Sequence, residues 1–343
     1  MNKKFDFKDI TIVPETLSSI STRKRIDILN KDRKLPLMVS PMDTVVNDFN
    51  CNLFLKHNFE VCLPRGVFYH EGKAFSSVSL DDFERILEWF QDDHFDKESI
   101  NLLVDIANGH MEKLYKLTEK FVKHRKNSNQ KLIVGNIANP NTYRKFAELG
   151  VDYIRVGIGG GSGCLTSANT GVHYPMASLI KECYEIKKSN NYETKIIADG
   201  GFRNYDDIIK ALALGADYVM LGGVLNKTLE SCSETKLFKL IPISEKQSKY
   251  IWEKFPKMRK YFYKNFRGMS TKEVQKKWGK TKLTTSEGIS KYNKVEYTLD
   301  GWTENFKDYL KSAMSYTNSR NLEEFKETEF VLITQNALNR YHK

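Results

Sequence analysis

The sequence predicts an α/β fold of the (β/α)8 barrel class, a TIM barrel, on three observations. Strand-like apolar runs alternate with helical stretches over residues 37–221, and repeated β-α units imply parallel strands joined by right-handed crossovers. Eight strand candidates can be counted, which favours a closed barrel over an open sheet. The runs end in polar residues or glycines, as in Asp105-Ile106-Ala107-Asn108-Gly109, Gly135-Asn136, Asp199-Gly200-Gly201 and Gly222-Gly223. Such ends form a rim, where this fold carries its active sites.

The elements follow in order. Phe5–Ile10, ahead of Pro14, is a short extended lead-in, and Ser18–Arg33 is polar and basic. Within residues 37–45 an apolar run stops at Ser40-Pro41, as a buried strand would. A helix is expected over Phe49–His57, a second strand over Glu60–Pro64, a third within Ala74–Leu80, and a helix over Asp81–Phe90. Strands then follow at Asn101–Ala107, Lys131–Ile137, Val151–Ile158, Lys195–Ala198 and Asp217–Leu221. Between them lie helical stretches near Met111–Arg125, Asn141–Leu149, Ala177–Lys188 and Tyr205–Leu214. Beyond Gly223 the pattern breaks. Residues 224–300 are rich in lysine and aromatics and read either as a nucleic-acid contact or as a mobile flap with a solvated basic face; the second is expected. A helix over Asn305–Met314 and a helix and strand within Leu322–Thr334 close the chain. The organisation expected is one domain, with a barrel over about 35–225 and a flap with C-terminal elements over 226–343.

Composition narrows the function classes. No apolar run approaches the roughly 18 residues a bilayer-spanning helix needs, and MNKKFDFKDI has no secretory h-region. Five scattered cysteines form no CxxC pair, which argues for a reducing cytoplasm and against structural zinc. The net charge of +11 is spread along the chain, so phosphorylated ligands explain it more simply than nucleic acid does.

The chemistry centres on VDYIRVGIGGGSGCLTSANTGVHYP, Val151–Pro175. A buried strand runs into Gly157, Gly159, Gly160 and Gly161, and the loop then presents Cys164 and, beside it, Thr166. Glycines let a backbone approach a ligand closely. Cys164 reads either as a nucleophile or as a small buried hydrophobe; its polar loop counts against the second, while spacing alone leaves both open. The turns Asp199-Gly200-Gly201 and Leu221-Gly222-Gly223 end strands seven and eight, where barrels commonly bind phosphate. Asp199 could accept from ribose hydroxyls or merely stabilise its turn.

The loop G-x-G-x-G-S-x-C-x-T, from Gly157 to Thr166, resembles the cysteine loop of the IMP dehydrogenase/GMP reductase family. Thr170–Pro175 is similar to the T-G-V-G-Y-P of the reductase branch, with His173 in place of a glycine, and Ser40–Val45 is similar to the family's first strand end. The resemblance runs from Phe5 to about Asn336. It implies that Asp199, Gly200, Gly201, Gly222 and Gly223 hold a purine nucleoside monophosphate, with Gly268-Met269-Ser270 contacting phosphate and base. Ser286-Glu287-Gly288 matches the flap motif that carries the acidic catalytic residue, with Gly288 beside the nucleotide. The D-x-A-N-G match implies Asp105, Ala107, Asn108 and Gly109 for the nicotinamide cofactor. Main-chain oxygens of Gly159, Gly161 and Cys164 are implied as ligands of a monovalent cation, K+.

The same resemblance implies the reductase branch. Fewer than 20 residues separate Pro64 from Leu80, too few for the regulatory domains that dehydrogenases insert there. No Arg-Tyr pair lies between Ser270 and Glu287 to activate water. The implied activity is NADPH-dependent reductive deamination of GMP to IMP and ammonia, through a covalent bond between Cys164 and purine C2, assisted by Thr166 and Glu287. The implied assembly is a tetramer in the cytoplasm, without nucleic-acid or membrane partners. Three departures bear on substrate and cofactor choice: Thr284 in place of an arginine, Ser312-Ala313-Met314-Ser315 in place of Gly-Gly-Leu-Arg-Ser, and Leu63-Pro64-Arg65-Gly66 in place of the motif with a lysine near the dinucleotide. The alternatives are an IMP dehydrogenase forming XMP with NAD, a reductase of a related purine (deoxy)nucleotide, and a non-catalytic nucleotide-binding paralogue.

Overall fold

The computed structural model describes residues 3–67, 73–89, 101–125, 130–279, 285 and 288–341. Strand β1 (Ile10–Ile12) precedes the barrel. The barrel follows as β2 (Leu37–Val39), α1 (Cys51–Lys56), β3 (Glu60–Leu63), β4 (Phe75–Val78), α2 (Leu80–Trp89), β5 (Asn101–Val104), α3 (Glu112–His124), β6 (Lys131–Ile137) and α4 (Pro140–Glu148). It continues with β7 (Tyr153–Val156), α5 (Thr166–Thr170), α6 (Met176–Asn190), β8 (Lys195–Asp199), α7 (Tyr205–Ala213), β9 (Tyr218–Leu221) and α8 (Gly223–Asn226). Strands β2 to β9 pair in parallel and in sequence order, and β2 closes on β9 with Leu37 opposite Val219. The fold is the predicted (β/α)8 barrel.

Strand side chains divide by parity. Met38, Cys62, Phe75, Leu103, Ile133, Tyr153, Ile197 and Tyr218 fill the barrel interior. Their neighbours, among them Leu102, Val104, Ile154 and Ile196, pack outward in the main core with the helices. Both faces are dry, which is why the strands read as continuous apolar runs and not as alternation. Two strand ends were overdrawn. Val151–Ile158 contracts to Tyr153–Val156 because Gly157, at φ 121°, turns the chain off the ladder. Asn101–Ala107 ends at Val104, after which the Asp105 N–H still donates to Val78 O at 2.9 Å. The helices α5 and α8 have 5 and 4 residues, too few to show a 3.6 period in sequence.

The segment after α8 keeps most of its basic residues solvated, Lys254, Lys257, Lys260, Lys272 and Lys276 among them, but adds a small sheet that the sequence reading did not anticipate. Strands β10 (Thr235–Leu237), β11 (Ile241–Ile243), β12 (Phe262–Arg267) and β13 (Ser290–Lys294) form an antiparallel sheet in the order β11-β10-β12-β13, with α9 (Glu245–Lys254) against it and α10 (Lys272–Lys277) after β12. Leu229, Trp252, Phe262 and Val295 make its own small core. On β12 the buried positions are Phe262, Lys264 and Phe266. Lys264 donates to the carbonyls of Ser231 (2.6 Å) and Ser233 (3.1 Å), and burial pushes its pKa down to about 8. A lysine at an inward position hides the period of 2 from a sequence reading.

The long helix α11 (Leu299–Tyr316) buries Trp302, Phe306 and Leu310 in the main core, and α12 (Leu322–Phe325), β14 (Phe330–Leu332) and α13 (Gln335–Tyr341) complete the chain. Strand β14 pairs antiparallel with β1, tying the two ends together. Asp217 fastens this region to the barrel. It accepts from Lys326 and Lys187, both at 2.7 Å, and from the Ile196 N–H at 2.8 Å. Burial opposes its ionisation, yet Lys326 and Lys187 outweigh that and hold the carboxyl down at about 2. The folded value lies below the ordinary 3.8, so the stabilisation is complete above that pH and is lost as pH falls through about 2. The gap corresponds to about 2 kcal/mol. Urea unfolding across about pH 5 to pH 2 should show a steeper acid loss in the parent protein than in Asp217→Asn. Parallel profiles would remove Asp217 from the acid response.

Among the described residues no helix is long and apolar enough to cross a membrane.

Candidate active site

The barrel's alternation continues past its core and places charge at the rim. Two residues beyond Leu103, Ile133, Tyr153 and Ile197 come Asp105, Gly135, Arg155 and Asp199, on the same inward face. Arg155 is buried, with 6% exposure. Its Nη2 and Nε donate to Asp199 Oδ2 at 2.8 and 3.2 Å, and its Nη1 donates to Asp105 Oδ1 at 3.0 Å. Burial alone would disfavour the cation, but Asp199 and Asp105 outweigh it and push the guanidinium pKa up. Gly135 is glycine for a steric reason: a Cβ there would lie 2.7 Å from Arg155 Cβ. Asn136 adds a bond to the same Asp199 oxygen at 2.7 Å and one to Gly157 O at 2.9 Å. Asp199 Oδ2 is thereby occupied from the barrel side.

Above this layer opens a cavity of about 290 Å³. The cysteine loop forms one wall. Its Cys164 N–H donates to Gly161 O at 2.9 Å, and the Cys164 thiol donates to Thr166 Oγ1 at 3.2 Å. The flap closes on this loop, with Cys164 and Gly288 forming an antiparallel bridge. Ile289 N–H donates to Gly163 O at 3.1 Å, and Gly268 N–H to Ile289 O at 3.0 Å. A Cβ at Gly268 would lie 2.3 Å from Gly163 O, so only glycine permits this contact. Glu287, with Ser286 and Thr284, lies outside the described residues.

Cys164 differs from the other thiols by its setting. It lines the cavity, while Cys51, Cys62 and Cys183 are buried and the Cys232 thiol donates to Asp43 O at 3.4 Å. The thiolate is the reactive form. Brief alkylation with iodoacetamide near neutral pH, followed by peptide mass mapping, should therefore label Cys164 first. A dominant label on any of the other four would contradict this ordering.

The remaining predicted residues divide between cavity and support. Gly200, Gly201, Gly222, Gly223, Met269 and Ser270 line the cavity with Asp199. A Cβ at Gly223 would lie 2.9 Å from Ser162 Oγ, so the glycine turn and the cysteine loop meet at one end. Asp105 and Ala107 also line the cavity. Asn108 and Gly109 are not among the lining residues. Gly109 N–H donates to Asn136 O at 2.8 Å, and Asn108 Oδ1 accepts from His110 N at 3.0 Å, so both serve the loop itself. The carbonyls of Gly159 and Gly161 accept from Ser167 Oγ (3.1 Å) and Cys164 N. Each keeps a second lone pair, enough to contribute to a cation's shell. No group of three or more His, Cys, Asp or Glu suited to a metal occurs among the described residues.

Sequence reasoning placed Asn136 at the rim without a role and passed over Arg155 and Trp278 as functional residues. Arg155 carried a signal, being one charged residue inside an otherwise apolar strand. Trp278, next to the flap, carried none.

Comparison with known proteins gives a concordant result. Residues 81–343 match the family model described as the IMP dehydrogenase / GMP reductase domain. A GMP reductase of Lactobacillus acidophilus is 28% identical, with 98% of this chain and 96% of the relative covered. GMP reductase 2 of Mus musculus is also 28% identical, over 97% of this chain and 95% of the relative. An inosine-5'-monophosphate dehydrogenase of Chlorobaculum parvum is 33% identical over 70% of this chain, but that spans 46% of the dehydrogenase. With the barrel and its cysteine rim, these matches make the chain a member of the IMP dehydrogenase / GMP reductase family.

Proposed function

We propose that the protein is a GMP reductase, converting GMP to IMP and ammonia with NADPH as reductant. The observation that carries this reading is the Cys164 thiol, 3.2 Å from Thr166 Oγ1, in the same cavity as the Arg155-held Asp199 and the two glycine turns. The end-to-end match to reductases, against less than half of the dehydrogenase, points the same way.

In this mechanism the glycine turns with Ser162 and Ser270 receive the phosphate. Asp199 accepts from the ribose through Oδ1, since Oδ2 is occupied by Arg155 and Asn136. That fixes the purine with C2 toward Cys164. The thiolate adds to C2, the C2–N bond breaks, and ammonia departs with a proton delivered through Thr166 and Glu287. The carbon is left as a thioimidate. The reduced nicotinamide, when bound at the Asp105–Ala107 end, supplies the hydride that C2 then receives. Collapse breaks the S–C2 bond and returns the Cys164 thiolate with IMP. The flap contacts at Gly268 and Gly288 keep water from the thioimidate, which would otherwise hydrolyse to XMP. A K+ ion at the Gly159 and Gly161 carbonyls, tetrameric assembly and a cytoplasmic location belong to the same reading.

The test is product identity. GMP with NADPH should consume the reduced nicotinamide and yield IMP. Formation of XMP from IMP and NAD, with no reaction of GMP, would replace the reading with a dehydrogenase.

A further inference from the structure

Charge alternates across the cavity in one unbroken line. Asp199 and Asp105 share Arg155, and beyond Asp105 stands Arg65, on the loop after β3. Arg65 Nη2 donates to the Asp105 carbonyl oxygen, and its Nε lies 3.7 Å from Asp105 Oδ2. That Nε is buried and makes no hydrogen bond. The guanidinium is covered by the indole of Trp278, 4.3 Å from the ring centroid. Trp278 follows α10 and so arrives with the flap. Both Arg65 and Trp278 line the cavity.

We propose that Trp278 is a positioning residue that stacks on Arg65, holds its guanidinium against Asp105 and so sets the carboxylate at the nicotinamide end of the cavity. A long arginine side chain retains much rotamer freedom unless one face is packed, and here the indole supplies that packing. The grip on Asp105 then depends on the flap being docked. Docking itself has a separate anchor: Asp43, before α1, accepts from Arg267 Nη2 at 2.6 Å and from Lys277 Nζ at 2.9 Å. Removing the indole should therefore leave the flap in place and loosen only Arg65. The inference rests on the proposed reductase reading for the role of Asp105, but the stack itself does not.

The experiment compares Trp278→Leu, Trp278→Phe, Arg65→Lys and the double variant Trp278→Leu/Arg65→Lys. With GMP saturating, Trp278→Leu should lower kcat/KM for NADPH about tenfold, the scale of one stacked cation–aromatic contact. GMP affinity measured without cofactor should stay within about twofold, because Asp199 keeps Arg155 and Asn136. Trp278→Phe should recover most of the loss. Arg65→Lys, which keeps the charge but not the planar stack, should match Trp278→Leu, and the double variant should be no worse than either. Losses that multiply in the double variant, or a GMP affinity that falls in step, would overturn the proposal. A second readout needs no turnover: Trp278 emission, obtained by subtracting the Trp278→Phe spectrum, should shift to the red in Arg65→Lys. An unchanged emission would show that the stack does not form. Absence of GMP turnover in the parent protein, with the emission shift intact, would instead fault the reductase reading alone.

Discussion

Cys164→Ala is expected to abolish turnover while GMP still binds within about threefold of the parent, because in the proposed mechanism the thiol forms the intermediate and adds little ground-state affinity. The loss should be on the order of 10⁴-fold or more, as for other nucleophiles whose removal closes the covalent route. Structure should survive, since Cys164 sits half-buried on a loop and outside the packed core. The measurements are the steady-state rate and nucleotide binding by calorimetry. Residual turnover within about tenfold of the parent would rule out covalent catalysis through this residue.

Glu287→Gln should have the next largest effect. A general acid contributes about 10²–10⁴-fold, and that factor should fall on departure of the amine. Glu287 adjoins Gly288, which bridges to Cys164 across the flap contact. In the proposed mechanism its carboxyl protonates the departing amine. Rapid-quench measurement of ammonia release should show the full loss, while reduction of a thioimidate formed beforehand should be nearly unaffected. A variant slowed only in reduction would reassign the step. One indistinguishable from the parent would remove Glu287 from the machinery.

The barrel was readable because strands dry on both faces leave continuous apolar runs, and their glycine and aspartate ends are conspicuous. The cysteine loop was readable because its glycines, its thiol and Thr166 are consecutive. What escaped depends on contacts between distant residues. Arg155 matters only because Asp199 and Asp105 arrive from β8 and β5 to meet it. The flap sheet escaped because Lys264 occupies an inward position on β12 and finds its partners in the Ser231 and Ser233 carbonyls. The basic run that read as a solvated face is in part the inside of a small sheet. Asn108 and Gly109, which a motif match names for a ligand, also hydrogen-bond within and beside their own loop, a contact between chain segments that the motif does not reveal.

The covalent step at Cys164 is the centre of the account, and intact-protein mass spectrometry tests it most directly. The protein is mixed with GMP and NADP+, which fills the nicotinamide end without a hydride to give, and is quenched in acid. A mass increase equal to GMP less one ammonia is predicted, mapping to the Cys164 peptide and missing in Cys164→Ala. Unmodified protein from a preparation that turns over GMP and NADPH, or an adduct that persists in Cys164→Ala, would contradict it.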